Sequence, residues 1–247
     1  MSTAVITRPG LPRLTAVELR KSADTRAGFW LQLVIVLLAV ALVTLSLIFG
    51  EEADQNLSTL LSDSVQVISI VLPVLGILLV TSEWSQRTGL TTFALVPQRE
   101  RIIVAKTIGA TILTLCAVAA CLVISALGTA IAGGSFDLGL GELGRYTLFE
   151  LITMLGGVAF GLAFMNSALA IVMYFVIPIG WSILGETISA LDKPADWLDL
   201  GRPMMTLADS TASMTGTDWA QLATASTVWV GLVLVIGLIR LRRIELK

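Results

Sequence analysis

Few side chains in this sequence are equipped for chemistry, and their types exclude more than they suggest. The 247 residues contain no histidine, which removes histidine acid–base catalysis and histidine metal ligation. Cys116 and Cys121 lie five apart in one apolar block. At about 100° per residue they point to different sides of a helix, cannot bridge each other, and read as small packing residues. The apolar blocks hold almost no other ionisable groups. Lys106 stands near one end of its block, where it can snorkel to the interface, and Glu150 and Glu186 stand near the opposite membrane face. Ion-coupled carriers, pumps and voltage sensors need charges at membrane depth, so this scarcity weighs against them. No His–Asp pair, carboxylate dyad or metal-ligand cluster is visible. Ala105-Lys106-Thr107 lacks the glycines of a phosphate-binding loop. The sequence therefore predicts no catalytic residue, no metal and no enzyme activity of its own. Any ATP-driven work needs a nucleotide hydrolysed by another polypeptide.

The elements that must position what remains are helices in a bilayer. Hydrophobic residues make up 55% of the chain and charged residues 14%, against roughly a quarter in soluble domains. The apolar residues fall in six blocks long enough to cross about 30 Å of hydrocarbon. They run from about Phe29 to Phe49, Val65 to Thr81 (with a start as early as Leu57), Ile102 to Ala132, Thr147 to Phe164, Ala168 to Leu184, and Ala223 to Ile239. The stretch before Phe29 is long and mixed in sign. The apolar run after it is too long for a signal peptide, so it reads as a cytoplasmic segment. Net charge is near zero, which gives no argument for nucleic acid as a partner.

Basic residues set the orientation. With both termini inside, thirteen of the sixteen lysines and arginines fall on the cytoplasmic side, leaving only Arg145, Lys193 and Arg202 outside. The predicted fold is thus an all-α polytopic membrane protein with six transmembrane helices and cytoplasmic N- and C-termini. It divides into a cytoplasmic segment 1–28, a six-helix transmembrane domain 29–240 and a basic tail 241–247. Leu11, Leu14 and Val17 fall at helical spacing among charges, as in an amphipathic helix lying on the inner leaflet, with a disordered tail as the alternative. The external loop 186–222 carries Pro194, Trp197, Pro203, Met204, Met205 and Trp219, which suggests short packed helices rather than a solvated loop. Spans four and five are separated only by about Met165 to Ser167, so they form an antiparallel pair.

Small residues allow close packing. Gly157-x-x-x-Gly161 permits backbone contact between helices, inside one bundle in the favoured reading and between subunits in the other. Pro178 and Pro73 can kink spans five and two, either to shape a cavity or simply as structure. The most informative stretch is Thr81 to Arg101, between spans two and three. Trp84, Leu90, Phe93, Leu95 and Val96 stand among polar groups, as in a short amphipathic helix, and Pro97 would stop it.

This stretch resembles type-2 ABC transporter permeases. The likeness is carried by Glu83-Trp84, Arg87-Thr88-Gly89, Pro97 with its basic cluster, and Ala105-Lys106. Glu18-Leu19-Arg20-Lys21 with Trp30 is similar to the family's elbow helix. Gly157-x-x-x-Gly161 with Asn166 resembles its turn between spans four and five. Asp196-Trp197-Leu198 and Asp218-Trp219 resemble its last external loop. Met165 departs from the basic residue that many relatives carry before that asparagine.

The resemblance implies the transmembrane subunit of a bacterial ABC exporter in the plasma membrane. It implies a homodimer or heterodimer of permeases and two copies of an ABC ATPase, which hold ATP and Mg2+; this chain holds no cofactor. It implies an elbow at about Leu14 to Gly28. The coupling helix would cover residues 83–96, with Glu83, Arg87, Thr88 and Thr91 at the ATPase. Spans two and five would line a cavity through Val67, Val71, Leu75, Met173, Phe175, Ile177 and Pro178. These apolar residues suit a hydrophobic or amphipathic cargo, such as a drug, antibiotic, lipid or peptide. Multidrug efflux and antibiotic resistance follow as expectations. The competing readings are an ion-coupled secondary transporter and a membrane scaffold that transports nothing.

Overall fold

The computed structural model describes residues 10–51, 54–85, 99–188 and 191–243, and these form helices without strands. Among the described residues, six helices are long and apolar enough to cross a membrane: Arg26–Phe49, Leu57–Ser82, Glu100–Ala132, Leu140–Phe164, Ser167–Gly185 and Gly216–Arg243. The chain therefore has the architecture of a multi-pass membrane protein. One end of the bundle carries Arg13, Arg20, Arg101 and Arg242, and is called the basic end below.

Helix α1, Leu11–Asp24, begins with a proline in its first turn, where no amide partner is needed. Thr25 is extended, ends α1, and caps the next helix by accepting from the Gly28 amide at 3.3 Å. The chain doubles back so tightly here that a Cβ on Gly28 would stand 2.0 Å from the Ser22 carbonyl oxygen. Helix α2, Arg26–Phe49, is the first span.

The second span starts at Leu57, the earlier of the two starts expected, and it is not one helix. Asn56 caps α3, Leu57–Ile68, by accepting from the Thr59 amide at 2.9 Å. The helix then breaks, and the Ile70 and Val71 amides turn back to Val67 and Ile68. Helix α4, Leu72–Ser85, follows. Pro73 sits in its first turn, where its missing N–H costs nothing.

Helix α5, Arg99–Ala132, spans about 51 Å at 1.5 Å per residue and outruns the hydrocarbon layer. Helix α6, Leu140–Phe164, starts seven residues before the apolar block because Glu142 accepts from the Gly139 amide and caps it. It ends at Met165 in a left-handed conformation, φ 51°. Asn166 then caps α7, Ser167–Thr187, from the Leu169 amide at 3.0 Å. The two-residue connection makes α6 and α7 antiparallel neighbours, as their spacing predicts.

Short helices α8, Asp192–Leu198, and α9, Gly201–Ala208, fill the long connection. Helix α9 buries Pro203, Met204 and Leu207, and Ser62 of α3 donates to the Ala208 carbonyl at 2.7 Å. The last span begins at Gly216, not at Ala223, because Thr215 and Asp218 cap it reciprocally. It runs as α10, Gly216–Ser226, a π-helical turn at Thr227–Leu232, and α11, Val233–Arg243.

Helix α6 is the hub, packing on α4, α5, α7 and α11. Of the most apolar stretch of spans two and four, 61% is buried, against 11% in span five. The core is therefore the α4–α6 pair, and α2, α7 and the last span form the outer face. Spans two and four cross in the same direction. Gly157 lies against Pro73, where a Cβ would stand 2.2 Å from its carbonyl oxygen, and Gly161 lies against Ile77 at 3.2 Å. Gly76 returns the contact toward the Met154 carbonyl oxygen, 2.7 Å from a Cβ. The Gly157-x-x-x-Gly161 face is thus occupied within this bundle.

Candidate functional site

At the basic end a buried polar network joins three helices. Helix α1 lies on α5 and α2, which brings Glu18 against Lys106. The Lys106 Nζ donates to Glu18 Oε2 at 2.6 Å and to the Leu79 carbonyl of α4 at 2.8 Å. Lys21 donates to Glu18 Oε1 at 2.8 Å. The side chains of Lys106 and Glu18 are only 1% and 6% exposed. The expectation that Lys106 snorkels outward is therefore corrected. The ammonium is turned inward because a carboxylate and a carbonyl meet it there. Burial alone would push the Glu18 carboxyl up, but Lys106 and then Lys21 outweigh it and hold it below the usual glutamate range.

This network grips α4 at Leu79, one turn before Glu83. Helix α4 continues through Ser85. The side chain of Glu83, the remainder of the expected coupling helix at 86–96, and hence Arg87, Thr88 and Thr91 lie outside the described residues, as does the side chain of Glu186.

Farther from the basic end, the broken second span, α6, α7, α9 and the π-helical turn line a partly open cavity of 270 Å³. Five aromatic rings line it: Phe149, Phe160, Tyr174, Phe175 and Trp229. Three of them brace one another, with Phe160 and Tyr174 edge to face at 5.4 Å and Tyr174 and Phe175 at 5.1 Å. Trp229 Nε1 is held by the Leu198 carbonyl at 2.7 Å. The polar atoms at the wall are few, as expected of a site for an apolar ligand.

Of the residues named from sequence, Phe175 and Pro178 line this cavity. Val67, Val71, Met173 and Ile177 do not. Leu75 lines a separate groove with Gln32, Ile35 and Leu113. The reason is the glycine seam. It presses α4 onto α6 and leaves only the break, at Ser69 and Ile70, to face the cavity. On α7 the cavity takes the Tyr174, Phe175 and Pro178 face, one residue round the helix from Met173 and Ile177.

Sequence reasoning missed Glu150. It was expected near the membrane face, but it lies inside α6, wholly buried, and neither carboxyl oxygen has a hydrogen-bond partner among the described residues. Its position was the available signal: ten residues into the helix is about 15 Å from the start. With Glu150 buried inside α6, the scarcity of charge at depth no longer weighs against ion coupling. No protein-family profile matches the chain, and no match was found among curated proteins.

Proposed function

We propose that this chain is the membrane-spanning permease subunit of an ATP-driven ABC exporter. The observation that carries the reading is the grip of Lys106, itself held by Glu18, on the Leu79 carbonyl, immediately before the Glu83 to Val96 segment. A motor pushing on that segment would move α4, and α4 is packed along α6 with no slack. The displacement would be passed to the wall of the aromatic cavity. A rigid connection between motor contact and cargo site is what such a subunit needs.

The remaining parts of the reading follow from it. Both termini and the Glu83 to Val96 segment lie in the cytoplasm, as the bias of basic residues favours. Helix α1 lies at the inner leaflet as the elbow. Two permeases pair through the weakly buried outer spans, and two ATPase subunits supply ATP and Mg2+. The cargo is hydrophobic or amphipathic, and the compartment is a bacterial plasma membrane. Coexpression with an ABC ATPase encoded beside it tests the reading. The two should copurify, and hydrophobic compounds should stimulate hydrolysis. A chain that never binds an ATPase would overturn it.

A second reading is favoured by one observation. Glu150 is a buried carboxyl with no hydrogen-bond partner among the described residues, beside a discontinuous span, and ion-coupled secondary transporters are built on such sites. Solute movement by the reconstituted chain alone, driven by an ion gradient, would establish it.

A further inference from the structure

Three features meet at one level of the bundle. The first is Glu150, wholly buried and without a hydrogen-bond partner among the described residues. The second is the break between α3 and α4. Gly157 stands opposite Pro73 and Gly161 opposite Ile77. Two turns back from Gly157 along α6, the same parallel register sets Glu150 level with the last turn of α3 and the break. The third is the aromatic cavity. Its wall includes Ser69 and Ile70 of the break, and Phe149 and Thr153, which flank Glu150 on α6.

A carboxylate in an apolar interior is too costly to persist without a counter-ion. The basic groups nearest along the helices are already committed. Arg145 donates to the Ala212 carbonyl at 2.8 Å, and Lys106 is held by Glu18 and Leu79. No charged side chain among the described residues acts on Glu150. The titratable groups beside it on the neighbouring helices, Cys121 of α5 and Tyr174 of α7, are both neutral in their ordinary forms. Tyr174 is itself on the cavity wall and donates to the Thr153 carbonyl at 3.4 Å. Glu150 is thus next to Phe149 and one turn from Thr153 on α6, and its carboxyl stands behind that part of the cavity wall.

We propose that Glu150 is a cation site that holds a proton while the cavity is empty and exchanges it for a lipophilic organic cation. The five aromatic rings supply the remaining attraction, because a cation over ring faces is stabilised most where water is excluded. In the exchange the carboxylic acid O–H breaks, its proton passes to solvent, and the carboxylate left behind is balanced by the charge of the bound cation. The proposal narrows the cargo class, and the status of that cation as cargo rests on the export reading. The site itself does not.

The test uses the purified full chain in lipid nanodiscs and tetraphenylphosphonium as the probe. Wild type should release about one proton per cation bound in weakly buffered solution, and affinity should rise about tenfold per pH unit while the site is protonated. Glu150→Gln should abolish the proton release and the pH dependence, and weaken the cation at least tenfold. A neutral probe, N-phenyl-1-naphthylamine, should bind both forms alike and so report an intact cavity. The wild-type proton count needs no variant, so a misfolded Glu150→Gln protein leaves the test standing. Binding without proton release, no cation binding at all, or a Glu150→Gln protein that binds the cation like wild type would each overturn the proposal. Copurification with an ATPase is read separately, so this site and the export reading can fail independently.

Discussion

The packing of α4 on α6 predicts a graded response to adding single methyl groups. In Gly157→Ala the new Cβ would stand 2.2 Å from the Pro73 carbonyl oxygen and 2.8 Å from its Cα. Both contacts are backbone, so no side chain can rotate away. The helices would have to separate by about 1.2 Å to reach the 3.4 Å of ordinary contact. In Gly161→Ala the nearest atoms, the Cα and carbonyl oxygen of Ile77, are at 3.2 Å, and about 0.2 Å suffices. Overpacking of a close-packed core costs about 1–3 kcal/mol. Gly157→Ala belongs at the upper end, while Gly161→Ala should lie near zero, helped by the better helix propensity of alanine. Thermal unfolding in detergent, followed by size-exclusion fluorescence, reads the difference. The oligomeric state at low temperature should be unchanged for both. Equal effects, or dissociation of an oligomer with monomer stability intact, would refute the reasoning and place this seam between subunits.

Four further outcomes follow from the geometry. Lys106→Met leaves Glu18 buried with only Lys21 and should cost about 3–5 kcal/mol, whereas Glu18→Leu with Lys106→Met should recover most of that loss; a double-mutant cycle measures the coupling. The lowered Glu18 carboxyl stabilises the fold above the unfolded glutamate value of about 4.3. That contribution is lost as pH falls through the folded value, so wild type should lose melting temperature faster in acid than the double variant. Asn166→Ala removes the cap of α7 and should cost about 1 kcal/mol, with faster amide exchange confined to its first turn. Arg87→Glu should leave basal ATP hydrolysis intact and abolish its coupling to transport; unchanged transport would remove Arg87 from the coupling role.

What was legible in the sequence is what depends on local composition. Leu, Val and Ile blocks mark the spans, since a bilayer demands about 20 apolar residues in a row. The Met165-Asn166 turn was visible because nothing else fits between two blocks so close together. Capping residues extended α6 to Leu140 and the last span to Gly216, and hydropathy cannot see them because it reports lipid contact rather than helix length. Long-range pairing was not legible. Lys106 looked like an end-of-span lysine, and its carboxylate lies 88 residues earlier in the chain. The break at Ser69 to Val71 contains no glycine or proline; Pro73, just after it, was read as a kink rather than as a first-turn residue. The glycines of α6 announced close contact without naming α4 as the partner. That choice moved the cavity face of span two to Ser69 and Ile70.

The proposed export function requires that a separate ABC ATPase drive this bundle. Proteoliposomes holding the chain together with an ABC ATPase should accumulate or expel a lipophilic fluorescent probe when ATP is added, with vanadate stopping it. ATP-independent movement of the same probe by the chain alone, with no change when the ATPase is present, would contradict the account.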